Sequence, residues 1–255
     1  MNEDILLTEV DARGVATVTL NRPAVHNAFN DALIARLDRV FVELGADSHV
    51  RVIVLAGNGR SFCAGADLNW MKAMVGYSEA ENVADSSRLA EMLYRIHSCP
   101  KPTLARVHGA AIAGGIGLVS ACDMAVAAEQ AKFAITEVKL GLLPANIALY
   151  LVPSIGVRAM RRYAMTGEAF DAAEARRIGL VHEVAPAAEL DTAVARIVED
   201  LLAAGPHALA ECKKLIEHVA GPVGERLRRE TATWLARVRV GEEAQSRMQA
   251  FLNRR

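Results

Sequence analysis

Apolar residues follow two rhythms along this chain, and each change of rhythm marks an element. Between 5 and 20, Ala16, Val18 and Leu20 alternate with Thr17 and Thr19, the period of a half-buried strand. Ala12-Arg13-Gly14 supplies the turn of a β-hairpin, and Asn21-Arg22-Pro23 stops its second strand. From about 31 to 44 the spacing becomes helical: Leu33, Ile34, Leu37, Val40, Phe41 and Leu44 share one face, with Asn30 or Asp31 placed to cap it. The segment 50–56 is apolar at every position but Arg51, which predicts a strand covered on both faces, as in a parallel sheet.

After Gly57-Asn58-Gly59 comes a run of small residues, 61–67, suited to close backbone approach. A helix is predicted over 79–98 from Leu89, Met92, Leu93 and Ile96, and Pro100 and Pro102 separate it from a strand at 103–107. Beyond Pro144 helical periodicity dominates, near 145–165, 171–178, 187–204 and 206–219, with one short strand at 181–184 and a helical, arginine-rich tail at 223–253. Strands alternating with helices, then a helical end, predict an α/β core over 1–200 and a helical extension over 201–255.

Composition narrows the class. A chain of 255 residues can form one large domain, and its 52% hydrophobic content, slightly above the usual range, suggests apolar surface buried between subunits. The net charge of −1 gives no pull toward nucleic acid or an anionic membrane. Cys63, Cys99, Cys122 and Cys212 form no CxxC pair, which fits a reduced, intracellular protein without a metal site. The start, MNEDILLTEV, has no long apolar segment, and the apolar run 109–122 is broken by glycines and falls short of the roughly 18 residues of a membrane span. A soluble, cytoplasmic protein is expected.

Chemistry is concentrated in 107–144. There the pair Gly114-Gly115 opens a helical segment at 116–122, and Glu137 follows before a Gly-Leu-Leu-Pro turn. The Gly65-Ala66 turn earlier in the chain also follows a buried strand. Two backbone N–H groups from such turns, converging on one oxygen, make an oxyanion hole of the kind a thioester needs when charge develops on its carbonyl; ordinary turn geometry is the alternative. Glu137 sits between Ile135 and Val138, so it is either paired or functional, and burial raises a carboxylate's pKa in the direction a general acid/base requires.

The other polar candidates read mainly as structural. His26, His97 and His108 are possible bases, but His108, ahead of a glycine at a strand end, suits a hydrogen-bonded structural role. Asp67 is placed to cap a helix starting near 68, and Asp123 to make structural hydrogen bonds at the end of an apolar helix. Trp70 and Met71 are either core or pocket wall. Ser120, inside an apolar helix with no acid–histidine pair in view, is not a nucleophile.

The stretches SFCAGADLNWM (61–71), KPTLARVHGAAIAGGIGLVSACD (101–123) and FAITEVKLGLLPA (133–145) together resemble the enoyl-CoA hydratase/isomerase family, the crotonases. NRPAVHNAFN (21–30) and AMTGEAFDAAEARRIGLVHEV (164–184) extend the resemblance over nearly the whole chain. It implies a spiral of ββα units assembled as trimers or dimers of trimers, with 201–255 as the trimerisation region. It also implies an acyl-CoA substrate, no cofactor beyond the CoA that the substrate carries, and neither nucleic acid nor membrane as partner. By resemblance, Ala66 and Gly114 hold the oxyanion. Ala64, Ala66 and Leu68 line an adenine pocket, with Asp67 among them, and Val25 and Ala28 lie near the pantetheine and nucleotide. Glu137 matches the second of the two glutamates of the standard hydratases.

The first of those glutamates is replaced here by Gly117. One carboxylate can still hydrate an enoyl-CoA if it takes a proton from water and returns one to carbon, and it can equally move a proton from C2 to C4. Hydration is the leading expectation, a Δ3,Δ2-enoyl-CoA isomerase the second, and an acyl-CoA-binding pseudoenzyme the third. CAGADLNWMK, GGIGLVSACD and TEVKLGLLPA further resemble the branch acting on 3-methylglutaconyl-CoA, while 146–150, expected at the acyl end, is individual. Glu79, Glu81 and Asp85, or another subunit, are the possible sources of a substitute carboxylate. The eight arginines and four glutamates of 221–255 suit a solvated face or a subunit contact.

Overall fold

The structure, a computed structural model, describes residues 5–74 and 76–220 together with 242, 243 and 246. The chain opens with the expected hairpin, β1 (Leu6–Val10) antiparallel to β2 (Val15–Leu20). Helix α1 (Asp31–Ala46) follows, with the Asn30 side chain accepting the Leu33 N–H at 3.0 Å as its cap. Next come β3 (Val52–Gly57), β4 (Ser61–Cys63), α2 (Leu68–Met74) and α3 (Glu79–His97), the last begun by a reciprocal capping box between Ser78 and Glu81. The pattern repeats with β5 (Thr103–Val107), β6 (Ala110–Ile112) and α4 (Gly114–Ala121). It repeats again with β7 (Met124–Ala128), β8 (Lys132–Ala134), a 3-10 turn (Glu137–Leu140) and α5 (Ala145–Thr166), which breaks at Gly156. The remaining elements are β9 (Ala169–Asp171), α6 (Ala172–Arg177), β10 (Glu183–Ala185), α7 (Leu190–Ala203) and α8 (Pro206–Val219).

Each turn of this winding gives its first strand to one sheet, its second to another, and then a helix. The larger sheet has the order β1-β2-β3-β5-β7-β10, and the smaller β4-β6-β8-β9. Within them β3, β5 and β7 are parallel neighbours, and so are β4, β6 and β8. This is the expected α/β spiral of ββα units.

Both faces of the larger sheet are covered, which explains the apolar run of β3. Val52 and Val54 pack with Leu104, Val126 and the Leu190, Val194 and Val198 face of α7. Ile53 and Leu55 point the other way, into the core shared with α1 and α3. A strand between two such layers has no polar face to alternate with.

The long elements match their expected ranges closely. The strand expected at 181–184 begins instead at Glu183, because Val181 packs in the core ahead of it. The three-residue strands β4, β6, β8 and β9 leave no period-two signal, so the smaller sheet is a finding of the tertiary structure. The helical tail expected at 223–253 lies outside the described residues apart from 242, 243 and 246. Of these, the Glu243 carboxylate accepts the His207 and Ala208 N–H groups, at 3.1 and 3.0 Å, at the start of α8. No helix among the described residues is long and apolar enough to cross a membrane.

Candidate active site

The smaller sheet brings the three chemical candidates to one edge. Cys63 of β4 pairs with Ala111 of β6, and Ile112 of β6 pairs with Ala134 of β8. Three residues past Cys63, Ala111 and Ala134 stand Ala66, Gly114 and Glu137. Parallel strands in register therefore deliver all three from their carboxyl ends, where open α/β sheets commonly hold ligands.

The two turns pack against each other. A Cβ on Gly65 would stand 3.1 Å from the Ala113 Cβ and 3.8 Å from the Gly114 nitrogen. Phe29 bridges to Ala66 by donating its N–H to the Gly65 carbonyl, 2.7 Å, and accepting the Asp67 N–H, 2.8 Å. That pairing leaves the Ala66 N–H turned away, and the Gly114 N–H begins a helix. Neither has an acceptor among the described residues. Ala113, just before α4, holds φ 49 and ψ −119, a conformation an L side chain rarely adopts, and its N–H is tied to the Ala134 carbonyl at 2.9 Å. Strain of this sort is retained where the surroundings enforce it. Gly115 must be glycine, since a Cβ there would lie 2.2 Å from the Cys63 carbonyl oxygen.

Ala66, Gly114 and Glu137 line one cleft of about 440 Å³, walled by apolar side chains that include Trp70, Met71, Leu142 and Ile147. Glu137 begins the 3-10 turn after β8, half-buried, and its Oε2 is buried with no hydrogen-bond partner among the described residues. Burial pushes its carboxyl pKa up, opposed only in part by hydrogen bonds from the backbone of Glu137 and Thr136. Two free donors and one proton-hungry carboxylate thus face one apolar space. Such an arrangement can polarise a carbonyl and move a proton beside it.

The space beside Gly117 is filled. A Cβ at 117 would lie 2.3 Å from Ile147 Cγ2 and 3.7 Å from Leu93 Cδ2. Of the three acids considered as substitutes, Glu81 is held by Ser78 in the capping box and Glu79 is exposed in the first turn of α3. Asp85 is the one that lines the cleft, at 4% exposure. It is the lone charged residue on the buried stripe that Met92, Leu93 and Ile96 continue, and that interruption was its signal in the sequence.

The remaining candidates separate cleanly. Ala64 and Leu68 line the same cleft. Val25 and Ala28 lie in the loop leading to Phe29, Val25 exposed and Ala28 buried. Asp67 is buried; its carboxylate accepts the Asn69 N–H at 2.8 Å and pairs with Arg22 at 2.8 Å, as a cap and brace for the turn. Arg22 also donates to the Ala28 carbonyl, joining the two loops. His108 donates its Nε2–H to the Gly59 carbonyl, 3.0 Å, and burial lowers its pKa. His26 meets Ser61 Oγ at 3.0 Å and His97 pairs with Glu217. Asp123 accepts from Thr103 N and Oγ1 and from Lys213 Nζ, at 2.8 to 2.9 Å, which is the structural role expected. Ser120 Oγ donates to the Gly117 carbonyl at 3.1 Å. Phe29 went unread as a site residue, yet its ring packs where a Gly114 Cβ would stand, 2.7 Å from Cε2.

Comparison with known proteins places the chain in a family. The sequence profile of the enoyl-CoA hydratase/isomerase family matches residues 11–255. The 2,3-dehydroadipyl-CoA hydratase of Escherichia coli is 32% identical, with 94% of this chain and 93% of that protein covered. The peroxisomal Δ(3,5)-Δ(2,4)-dienoyl-CoA isomerase of Arabidopsis thaliana is 30% identical over 92% of this chain and 89% of its own. The crystal structure of an enoyl-CoA hydratase from Shewanella pealeana superposes with a TM-score of 0.96 at 35% identity, covering all of this chain and 95% of that one. The chain belongs to the enoyl-CoA hydratase/isomerase family.

Proposed function

We propose that this enzyme adds water reversibly across the double bond of a 2-enoyl-CoA. The observation that carries the proposal is the convergence of two unpaired N–H groups, Ala66 and Gly114, with the Glu137 carboxylate, whose Oε2 has no partner, in one cleft. The thioester oxygen accepts from both donors. Glu137 takes a proton from water as the water oxygen bonds to C3, and the C2=C3 electron pair moves toward the carbonyl to form an enolate. The protonated Glu137 then delivers that proton to C2, closing the 3-hydroxyacyl-CoA and restoring the carboxylate. The donors act most strongly on the enolate, where charge is greatest, each contributing about 3–4 kcal/mol by the precedent of oxyanion-hole deletions. No cofactor is required beyond the CoA of the substrate. Ala64 and Leu68 in the cleft wall, with Val25, Ala28 and Asp67 in the neighbouring loops, are assigned to that CoA.

A specific observation favours a second reading. Ile147 fills the space beside Gly117, so no second carboxylate stands at that position, and Glu137 alone suffices to move a proton from C2 to C4 of a 3-enoyl-CoA. The test is direct. Purified protein given crotonyl-CoA is expected to consume enoyl absorbance and form 3-hydroxybutyryl-CoA, and Glu137→Gln to abolish this. Conversion of a 3-enoyl-CoA without hydration would replace the proposal by the isomerase, and binding without turnover of either by a pseudoenzyme. Motif resemblance also suggests a branched 3-methylglutaconyl acyl group and assembly as a homotrimer or dimer of trimers; light scattering of the full chain tests the assembly.

A further inference from the structure

We infer that the cleft selects an acyl group whose far end is uncharged and carries a hydrogen-bond donor such as a hydroxyl, and that Asp85 sets this preference. The inference rests on the acyl-CoA reading above.

Asp85, Leu89 and Leu93 lie at successive i, i+4 positions of α3 and therefore share one face of it. Leu93 marks the level of Gly117, with its Cδ2 3.7 Å from a Cβ built there. Asp85 stands eight residues earlier, about 12 Å along the helix. That separation is too long for Asp85 to act as the missing glutamate on the same carbon atoms. It places the carboxylate instead where a longer acyl chain would arrive.

The surroundings at that point are polar inside an otherwise apolar cleft. Asn146 Nδ2 donates to the Ser86 carbonyl and Oγ, at 3.1 and 3.0 Å, and Asp85, Ser86 and Asn146 all line the cleft. Arg88 donates to Asp85 Oδ1 at 2.7 Å, and its own side chain is 55% exposed, so water already screens much of its charge. An ionised carboxylate offers about four lone-pair sites and no donor. Arg88 takes one, and a substrate hydroxyl can donate to another as a charge-assisted bond. A terminal carboxylate would bring a second negative charge against Asp85, itself only 4% exposed, and like charges at close range repel.

Three saturated thioesters of equal length test the inference: decanoyl-CoA, 10-hydroxydecanoyl-CoA and decanedioyl-CoA, titrated calorimetrically into the full-length protein and into Asp85→Asn. Saturated ligands read recognition alone, whatever reaction Glu137 performs. The native protein is expected to bind the hydroxy thioester at least tenfold more tightly than decanedioyl-CoA. Asp85→Asn should shrink that ratio to under threefold, chiefly by tightening decanedioyl-CoA, with affinity for free CoA unchanged as evidence of an intact fold. Equal or tighter binding of decanedioyl-CoA by the native protein would overturn the inference and indicate that Arg88 swings to the substrate. A ratio unaltered in Asp85→Asn would also overturn it. Failure of all three thioesters and of CoA to bind would instead remove the acyl-CoA reading beneath it.

Discussion

Ile147 occupies the space that any side chain at position 117 would need: a Cβ on Gly117 would stand 2.3 Å from Ile147 Cγ2 and 3.1 Å from its Cβ. Glycine at 117 and isoleucine at 147 are thus one packing solution shared by α4 and α5. The contact is stiff, because a β-branched side chain in a helix has little choice of χ1. Replacing a helix-interior glycine by alanine ordinarily gains about 1 kcal/mol of propensity, whereas overpacking a core typically loses about 1–3 kcal/mol. Gly117→Ala is therefore expected to destabilise the protein by about 1 kcal/mol in urea titration. Ile147→Ala alone should lose about 2–5 kcal/mol. In the double variant the new methyl fills part of the vacated space, so the combined loss should fall below the sum. A stabilised Gly117→Ala protein would show that Ile147 yields freely.

Glu137 supplies a pH prediction whose sign is set by burial, which raises its carboxyl above the ordinary 4.5. The proposed first step uses the ionised form, so the acid limb of kcat/KM for crotonyl-CoA is expected to inflect above 4.5. Glu137→Gln should lower the rate by about 10²–10⁴-fold. Stability follows by linkage. A carboxyl raised in the folded state contributes stability that is fully present below the unfolded value and is lost as pH rises through the folded one. Glu137→Gln should accordingly be more stable than the native protein at pH 7, and the advantage should disappear on acidification below 4.5. An acid limb at or below the ordinary glutamate value would remove Glu137 as the buried base.

Ala113 carries its positive φ for the sake of the turn that aims Gly114. Such backbone strain amounts to about 1–3 kcal/mol, while the entropy that glycine adds to the unfolded chain takes back about 0.4–1 kcal/mol. Ala113→Gly is expected to gain about 1 kcal/mol in stability and to lower kcat several-fold as the donor loses its fixed aim. Unchanged stability would mean the conformation is relaxed rather than enforced.

Arg22 and Asp67 form an ion pair at 2.8 Å with side chains only 15% and 9% exposed. Removing one partner leaves the other charge buried, so Arg22→Met is expected to lose about 3–5 kcal/mol. Adding Asp67→Asn should recover part of that loss. Burial alone would raise the Asp67 pKa, but the Asn69 N–H and Arg22 outweigh it and hold it below the usual range. Its contribution is therefore present above the unfolded value and lost as pH falls through the folded one, and the native protein should lose this increment only in strongly acidic solution. Urea midpoints of the two variants across pH 3 to 7 check both statements.

What the sequence determined by itself is local. The hairpin, the apolar β3 and helices α1, α3, α7 and α8 were legible because their patterns run over enough residues for a period to show. The turns at Gly65-Ala66 and Gly114-Gly115 and the carboxylate of Glu137 stood out as candidates, since glycine turns after buried strands and a carboxylate amid apolar neighbours are conspicuous, while the pattern alone left ordinary turn geometry open and family resemblance singled out Ala66 and Gly114. The smaller sheet that sets those positions side by side was not, because strands of three residues have no period and pair only with residues distant in the chain. The sequence showed that position 117 lacked an acid, but only packing between α4 and α5 decided that Ile147 fills the space. Likewise Asp85 was one acid among three in its segment until the orientation of α3 buried it in the cleft wall. Those decisions belong to the tertiary structure, since contact between helices depends on how two faces meet, and one chain segment carries no record of the other's face.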